Sequence, residues 1–226
     1  MASVRLVIGL SLMLFGCASS DDKDTGSDDL GLNTCGISRG EVFDIEVGRV
    51  TLAPADSEGY RWDSQEVDSE WKSHLREWRD LSKTLSTNGS FERGSYEDVL
   101  TVNEYFEATL FSPDAAPDPM AVLYVSQNGG KRWTVAQEWG QIAGNTHELA
   151  GLYLGRRTLG GDNQINLRLL DADAPDETRV GDVVITGVMA QAIANCGPMS
   201  IVRSEAEMRE LGSRIHAIEI EVSVVD

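Results

Sequence analysis

The strongest constraint on the fold is a two-residue alternation that recurs near the end of the chain. In "INLRLLD", Ile165, Leu167 and Leu169 point one way while Asn166 and Arg168 point the other. In "IHAIEIEVSVV", Ile218, Ile220, Val222 and Val224 alternate with Glu219, Glu221 and Ser223. Side chains of a strand change face at every residue, so both stretches read as strands with one face on a core. An earlier run, "EVFDIEVGRVTLAP", shares this pattern with a slip. Phe43, Ile45 and Val47 lie in phase, and after Gly48-Arg49 the apolar positions move to Val50 and Leu52. A slip of one residue without loss of the strand predicts a bulge or bend. "MAVLYVSQ" is apolar on both faces, as a central strand is, and Asn128-Gly129-Gly130 turns it back into "KRWTVAQ" as a hairpin. "VGDVVITGVM" reads as a further strand, and "ELAGLYLG" fits a strand or a short helix equally. About seven strands separated by turn signals predict a mainly β, antiparallel β-sandwich.

Two helical patterns interrupt the strands at about residues 64–112. Val67, Trp71, Leu75, Trp78, Leu81 or Ser82, and Leu85 recur at helical spacing, with Asp68 or Ser69 as cap and Asn88-Gly89 as stop. Val99, Val102, Phe106 and Leu110 form a second stripe, with a capping box expected at Ser95/Asp98. Such aromatic stripes are core more often than clefts. A shorter helix follows later, where Ser204 and Glu207 form a capping box and Gly212 is the stop.

The first residues carry a different message. Arg5 precedes an apolar run from Leu6 to Phe15, too short to span a bilayer. The run ends Leu14-Phe15-Gly16-Cys17. This order resembles the lipobox of bacterial lipoproteins. The resemblance implies a signal peptide at 1–16 and acylation of Cys17, a lipid anchor in the membrane. Ala18, not Asp, follows Cys17, which by analogy with enteric sorting implies an envelope protein of the outer membrane. Residues 17–34 are rich in Ser, Asp and Gly and read as an acidic, flexible tether. The folded module is then 35–226. With Cys17 lipidated, Cys35 and Cys196 remain as an even pair in an oxidising compartment. A disulfide between them would stabilise by about 4–5 kcal/mol in the chain-entropy model. Two free thiols are the alternative.

The net charge of −18 leaves no basic stripe to neutralise phosphates, so a nucleic-acid partner is not expected. The loop "LLDADAPDETRVGD" places four acids between Asp171 and Glu177. Together with "GYRWD" at Gly59–Asp63, the Asp118-Pro119 pair and Val180-Gly181, it resembles a C2-type domain. That resemblance implies an eight-stranded sandwich with Ca2+ held at one end. Asp171, Asp173 and Asp176 from one loop, with Asp114 and Asp118 from the facing loop, would be its ligands, because calcium takes six to eight oxygens from converging loops. The helical insert departs from the family. A plain solvated turn is the competing reading, since Asp and Pro favour turns and 37 residues of the chain are acidic.

Enzyme motifs are weaker. Gly36–Gly40, "GISRG", matches a nucleophile elbow but is followed by a strand, where an elbow needs a helix. His74, His147 and His216 show no zinc spacing, and each reads as satisfied or exposed. The sequence therefore points to a non-catalytic, lipid-anchored binding module for a protein or glycan. A surface hydrolase with a non-sequential site and a purely structural envelope protein are the alternatives.

Overall fold

In the computed structural model, residues 41–63, 67–90, 94–172 and 178–225 are described. β1 (Val42–Leu52) is the strand with the phase slip, and it lies inside a sheet rather than at an edge. It runs antiparallel to β5 (Glu148–Thr158) on one side and to β9 (Ile215–Val224) on the other. The expected bulge is at Gly48. Val47 faces Ile220 and Arg49 faces Glu219, so Gly48 has no opposite number on β9. Both sides of the slip stay inward, and Val47 and Val50 are buried.

The other strands are β2 (Thr87–Ser90), β3 (Pro119–Ser126), β4 (Thr134–Gln141), β6 (Gln164–Asp171), β7 (Thr178–Thr186) and β8 (Met199–Val202). One sheet has the order β2-β8-β9-β1-β5 and the other β4-β3-β6-β7, with antiparallel pairing throughout. Their inner faces share one core. Phe43, Ile45, Val50 and Ile218 from the first meet Ala121, Leu123, Leu167 and Leu169 from the second. Each large apolar side chain buried there contributes roughly 1.5–3 kcal/mol. The arrangement is the antiparallel β-sandwich with a helical insert between early strands. β5 resolves the ambiguity of "ELAGLYLG" in favour of a strand.

The insert holds α1 (Ser69–Leu85) and α2 (Gly94–Tyr105). Asp68 caps α1 by accepting from the Trp71 backbone N–H at 2.8 Å. α2 begins at Gly94, one residue before Ser95. Trp71, Leu75 and Trp78 pack with Phe106, Leu110, Ala53, Ala55 and Met208 in a second cluster. Tyr96 and Val99 pack on Val202 and Ala217 in a third. The insert thus covers the outer face of the first sheet. Consequently Ile215 to Ile220 are all buried, and Glu219, expected to face solvent, is 5% exposed and ion-paired to Arg49 at 3.2 Å.

Two further differences from the sequence reading concern elements. The strand read as Val180–Met189 stops at Thr186, whose side chain caps α3 (Gly187–Cys196) by accepting from the Met189 N–H at 3.2 Å. Ala190 and Ile193, three apart, are its buried residues. The four-residue strands β2 and β8 pair with each other where Asn88-Gly89 was expected only to end a helix. The last helix is as expected: α4 (Glu205–Leu211) has the Ser204/Glu207 capping box and left-handed Gly212 at its end. Among the described residues no helix is long and apolar enough to cross a membrane.

The ends of the sandwich differ. At one end Val42 pairs with Thr158, and the Val225 N–H donates to the Val42 carbonyl. Leu52, Glu148, Pro119, Asp171, Thr178 and Ile215 gather at the other. There the Arg214 N–H donates to the Val180 carbonyl at 2.6 Å and joins the two sheets. The approach is close because position 181 is glycine. A Cβ on Gly181 would lie 2.2 Å from Ser213 Oγ.

Candidate functional site

Two of the acids expected to bind calcium, Asp118 and Asp171, lie at this second end. Asp171 closes β6 and is 3% exposed. Its Oδ1 accepts from the Asp118 backbone N–H at 2.9 Å, and the Asp118 carbonyl accepts from the Ala172 N–H at 2.9 Å. Asp118 Oδ1 accepts from the Asn145 N–H at 2.6 Å. The structure brings Asp118 and Asp171 together, and an oxygen of each holds a backbone N–H. Asp114 is exposed on a 3-10 turn, Pro113–Ala115. Among the described residues no three His, Cys, Asp or Glu side chains converge on a metal position. Asp173 and Asp176 lie outside the described residues, as do Cys17, Cys35 and the Gly36–Gly40 motif. Cys196, the expected partner of Cys35, is half-buried at the end of α3.

A cavity of about 420 Å³ opens at the same end. Trp62, Met208, Arg179, Arg209 and Arg214 line it, with Asp56 and Glu58 at its edge. Each has a local reason for its place. Asp56 Oδ1 accepts from the backbone N–H groups of Glu58, Gly59 and Tyr60 at 2.8, 2.8 and 2.9 Å, which shapes that loop. Trp62 is pinned by its Nε1–H, which donates to the Ala53 carbonyl at 2.9 Å. Arg179 opens β7 and pairs with Asp182 at 2.7 Å.

Arg214 is the unusual member, with its side chain only 5% exposed. Its Nε–H donates to the Ala55 carbonyl at 2.8 Å, and Nη1 meets both Glu205 oxygens at 3.1 Å. Its Nη2 is buried and has no hydrogen-bond partner among the described residues. Burial lowers its pKa and Glu205 opposes this, yet a guanidinium stays charged in proteins. Glu205 is shared, since Arg79 and Arg209 also reach it at 3.5 and 3.7 Å.

Under the insert lie two imidazoles, His147 and His216, the latter on the last strand as the sequence placed it. His147 is 4% and His216 0% exposed. His216 meets the Trp78 ring edge-on at 4.9 Å, and His147 meets Phe111 at 5.0 Å. Among the described residues no ring nitrogen of either reaches hydrogen-bond geometry. Both rings are buried, where the sequence suggested satisfied or exposed ones. Burial pushes His147 down to about 4, against the opposing pull of the Ala53 and Ala115 carbonyls. Burial, with Arg214 adding to it, pushes His216 down to about 3. His74 is half-buried, 3.8 Å from Glu70.

Neither the arginine cavity nor the histidine pair was singled out from sequence. The available signal was the run "VRSEAEMRELGSRI", which holds Arg203, Arg209 and Arg214 in a chain of net charge −18.

No protein-family model matches the chain, and no curated protein matches it. Among solved structures, the chain is similar to the C2A domain of a plant extended synaptotagmin 1. The match has a TM-score of 0.31 and 8% identity, covering 84% of this chain and 99% of that one. At that score the likeness assigns neither fold family nor function.

Proposed function

We propose that this chain is an envelope lipoprotein, acylated at Cys17, whose β-sandwich is a non-catalytic binding module facing away from the membrane. The observation that carries the reading is the direction of β1. The chain enters β1 at Val42 and leaves it at Leu52, beside the cavity and the paired acids. Eleven residues of strand span roughly 35 Å. A tether on the Val42 side therefore holds the lipid at one end and presents the other end outward, to a protein or glycan of the bacterial envelope. Calcium belongs to the same reading. Asp118 and Asp171 supply two adjoining carboxylates, to which Asp173 and Asp176 would add more, with Asp114 on the facing turn.

Fractionation tests the anchor. The wild type is expected to stay with membranes through high-salt washing and the Cys17→Ala protein to be released. Retention of the variant overturns the lipoprotein reading. A photo-crosslinking residue tests the orientation. Placed at Glu58 it is expected to form adducts with an envelope component, and placed at Thr158 it is not. Equal adducts from both positions overturn an outward-facing binding end.

A further inference from the structure

We infer that the helical insert is an acid-released cover, in which protonation of His147 and His216 frees α1 and α2 from the outer face of the first sheet while the sandwich stays folded. The basis is a chain of four rings across the contact. His216 of β9 meets Trp78 of α1 at 4.9 Å, Trp78 meets Phe111 at 6.4 Å, and Phe111 meets His147 at 5.0 Å. The two imidazoles belong to the sandwich and the other two rings to the insert, so a proton on either imidazole lies in the contact itself. A buried contact of this kind favours the neutral ring, whereas a ring in water takes up a proton below about pH 6.5. The fold holds His147 down to about 4 and His216 down to about 3. Below pH 6.5, acid therefore favours a state that exposes them.

The charges around the rings work in the same direction. Near His216 stand Arg214, two residues before it, Glu205 of α4, paired with that arginine at 3.1 Å, and Arg79 of α1, which reaches Glu205 at 3.5 Å. The Arg203 N–H donates to the His216 carbonyl, and Glu207 acts on the Arg203 guanidinium. Three arginines thus stand with two glutamates, and Arg214 opposes an imidazolium beside it. His147 faces the Phe111 ring and the Ala53 and Ala115 carbonyls. Glu148 follows it in the chain, in the field of Arg49, Glu104 and Glu107. The insert can leave without opening the main core. Its buried apolar residues pack in two clusters of their own, and the cluster between the sheets holds none of them. The Trp78 Nε1–H donates to Asn103 Oδ1 at 3.2 Å, a bond between α1 and α2 that travels with the insert. The links given up include the Arg49–Glu97 pair at 2.7 Å and the Thr51–Tyr96 hydroxyl contact at 2.6 Å.

The test is hydrogen–deuterium exchange of the full chain in detergent at pH 7 and pH 5, read by mass spectrometry and corrected for the intrinsic exchange rate at each pH. Each ring that opening exposes should raise the opening constant about 25-fold over this range, and the pair together several-hundredfold. Peptides from α1 and α2 are therefore expected to lose protection by that factor, while peptides from β3 and β6 stay protected on the same timescale. His147→Phe and His216→Phe are each expected to remove about 25-fold of the response, and the double variant all of it. Where the double variant fails to fold, the single variants decide. The inference is overturned by unchanged protection of the insert, by a wild-type response in both single variants, or by loss of protection in the insert and in β3 and β6 together. In that last case acid unfolds the whole protein and the insert is no separate cover.

Discussion

Acidification should loosen this protein through His147 and His216. Both titrate near 6.5 when unfolded, and burial lowers them to about 4 and about 3 in the fold. Above pH 6.5 both states hold the rings neutral and no linkage arises. Below 6.5 the unfolded chain takes up two protons that the folded chain refuses, so stability falls with pH. The loss continues to about pH 4 for His147 and about pH 3 for His216. Each imidazole costs about 1.4 kcal/mol per pH unit in that window. Between pH 7 and pH 5 the pair should therefore cost about 4 kcal/mol, a large part of an ordinary domain's 5–15 kcal/mol. The assay is urea unfolding at pH 7, 6 and 5, comparing the wild type with His147→Phe/His216→Phe. Phenylalanine keeps the aromatic edges against Phe111 and Trp78 and removes the titration. Carboxylates are common to both proteins, so the difference in their pH dependence isolates the rings. The double variant is expected to lose about 4 kcal/mol less than the wild type across this range. Parallel pH dependence in the two proteins would mean that water reaches the imidazoles, and would refute the reasoning.

The remaining predictions concern the loop end and the anchored side. Gly181→Ala should cost about 1–3 kcal/mol, because the new methyl meets Ser213 Oγ, and Ser213→Gly in the same chain should restore part of it. Thermal or urea unfolding of the three proteins decides this. Asp171→Ala should destabilise by about 1–3 kcal/mol by stranding the Asp118 N–H, while Asp171→Asn, which keeps an acceptor, should cost much less. A stabilised Asp171→Ala protein would instead mean that repulsion among the acids dominates. Calcium added after chelation should raise the melting temperature, with about 2.7 kcal/mol at a hundredfold excess over Kd, and Asp173→Asn/Asp176→Asn should abolish the rise. An unchanged melting curve in the wild type removes calcium from the reading. Non-reducing peptide mapping should find Cys35 joined to Cys196, and two alkylatable thiols would exclude the bridge.

The parts legible in the sequence are those governed by short-range rules. Ile165, Leu167 and Leu169 announced one buried face of β6, and all three are buried. The slip after Gly48 announced a bulge, and Ser204, Glu207 and Gly212 bounded α4 because caps are satisfied within one turn. Alternation reveals which side of a strand is apolar, and it cannot reveal what covers the polar side. Glu219 therefore read as solvent-facing, and only the packing of the insert over the sheet made it a buried partner of Arg49. The acidic loop shows the same division. Acidity is written in the composition, but Asp171's partner is the Asp118 amide, 53 residues away. The cavity is further still from local signals. Arg214 is held by Ala55, 159 residues distant in sequence, and by Glu205 on a helix whose capping box says nothing of that contact. A buried arginine and two buried histidines are costly to the chain on local grounds. They exist because two sheets and an insert close around them, and that closure is decided in three dimensions.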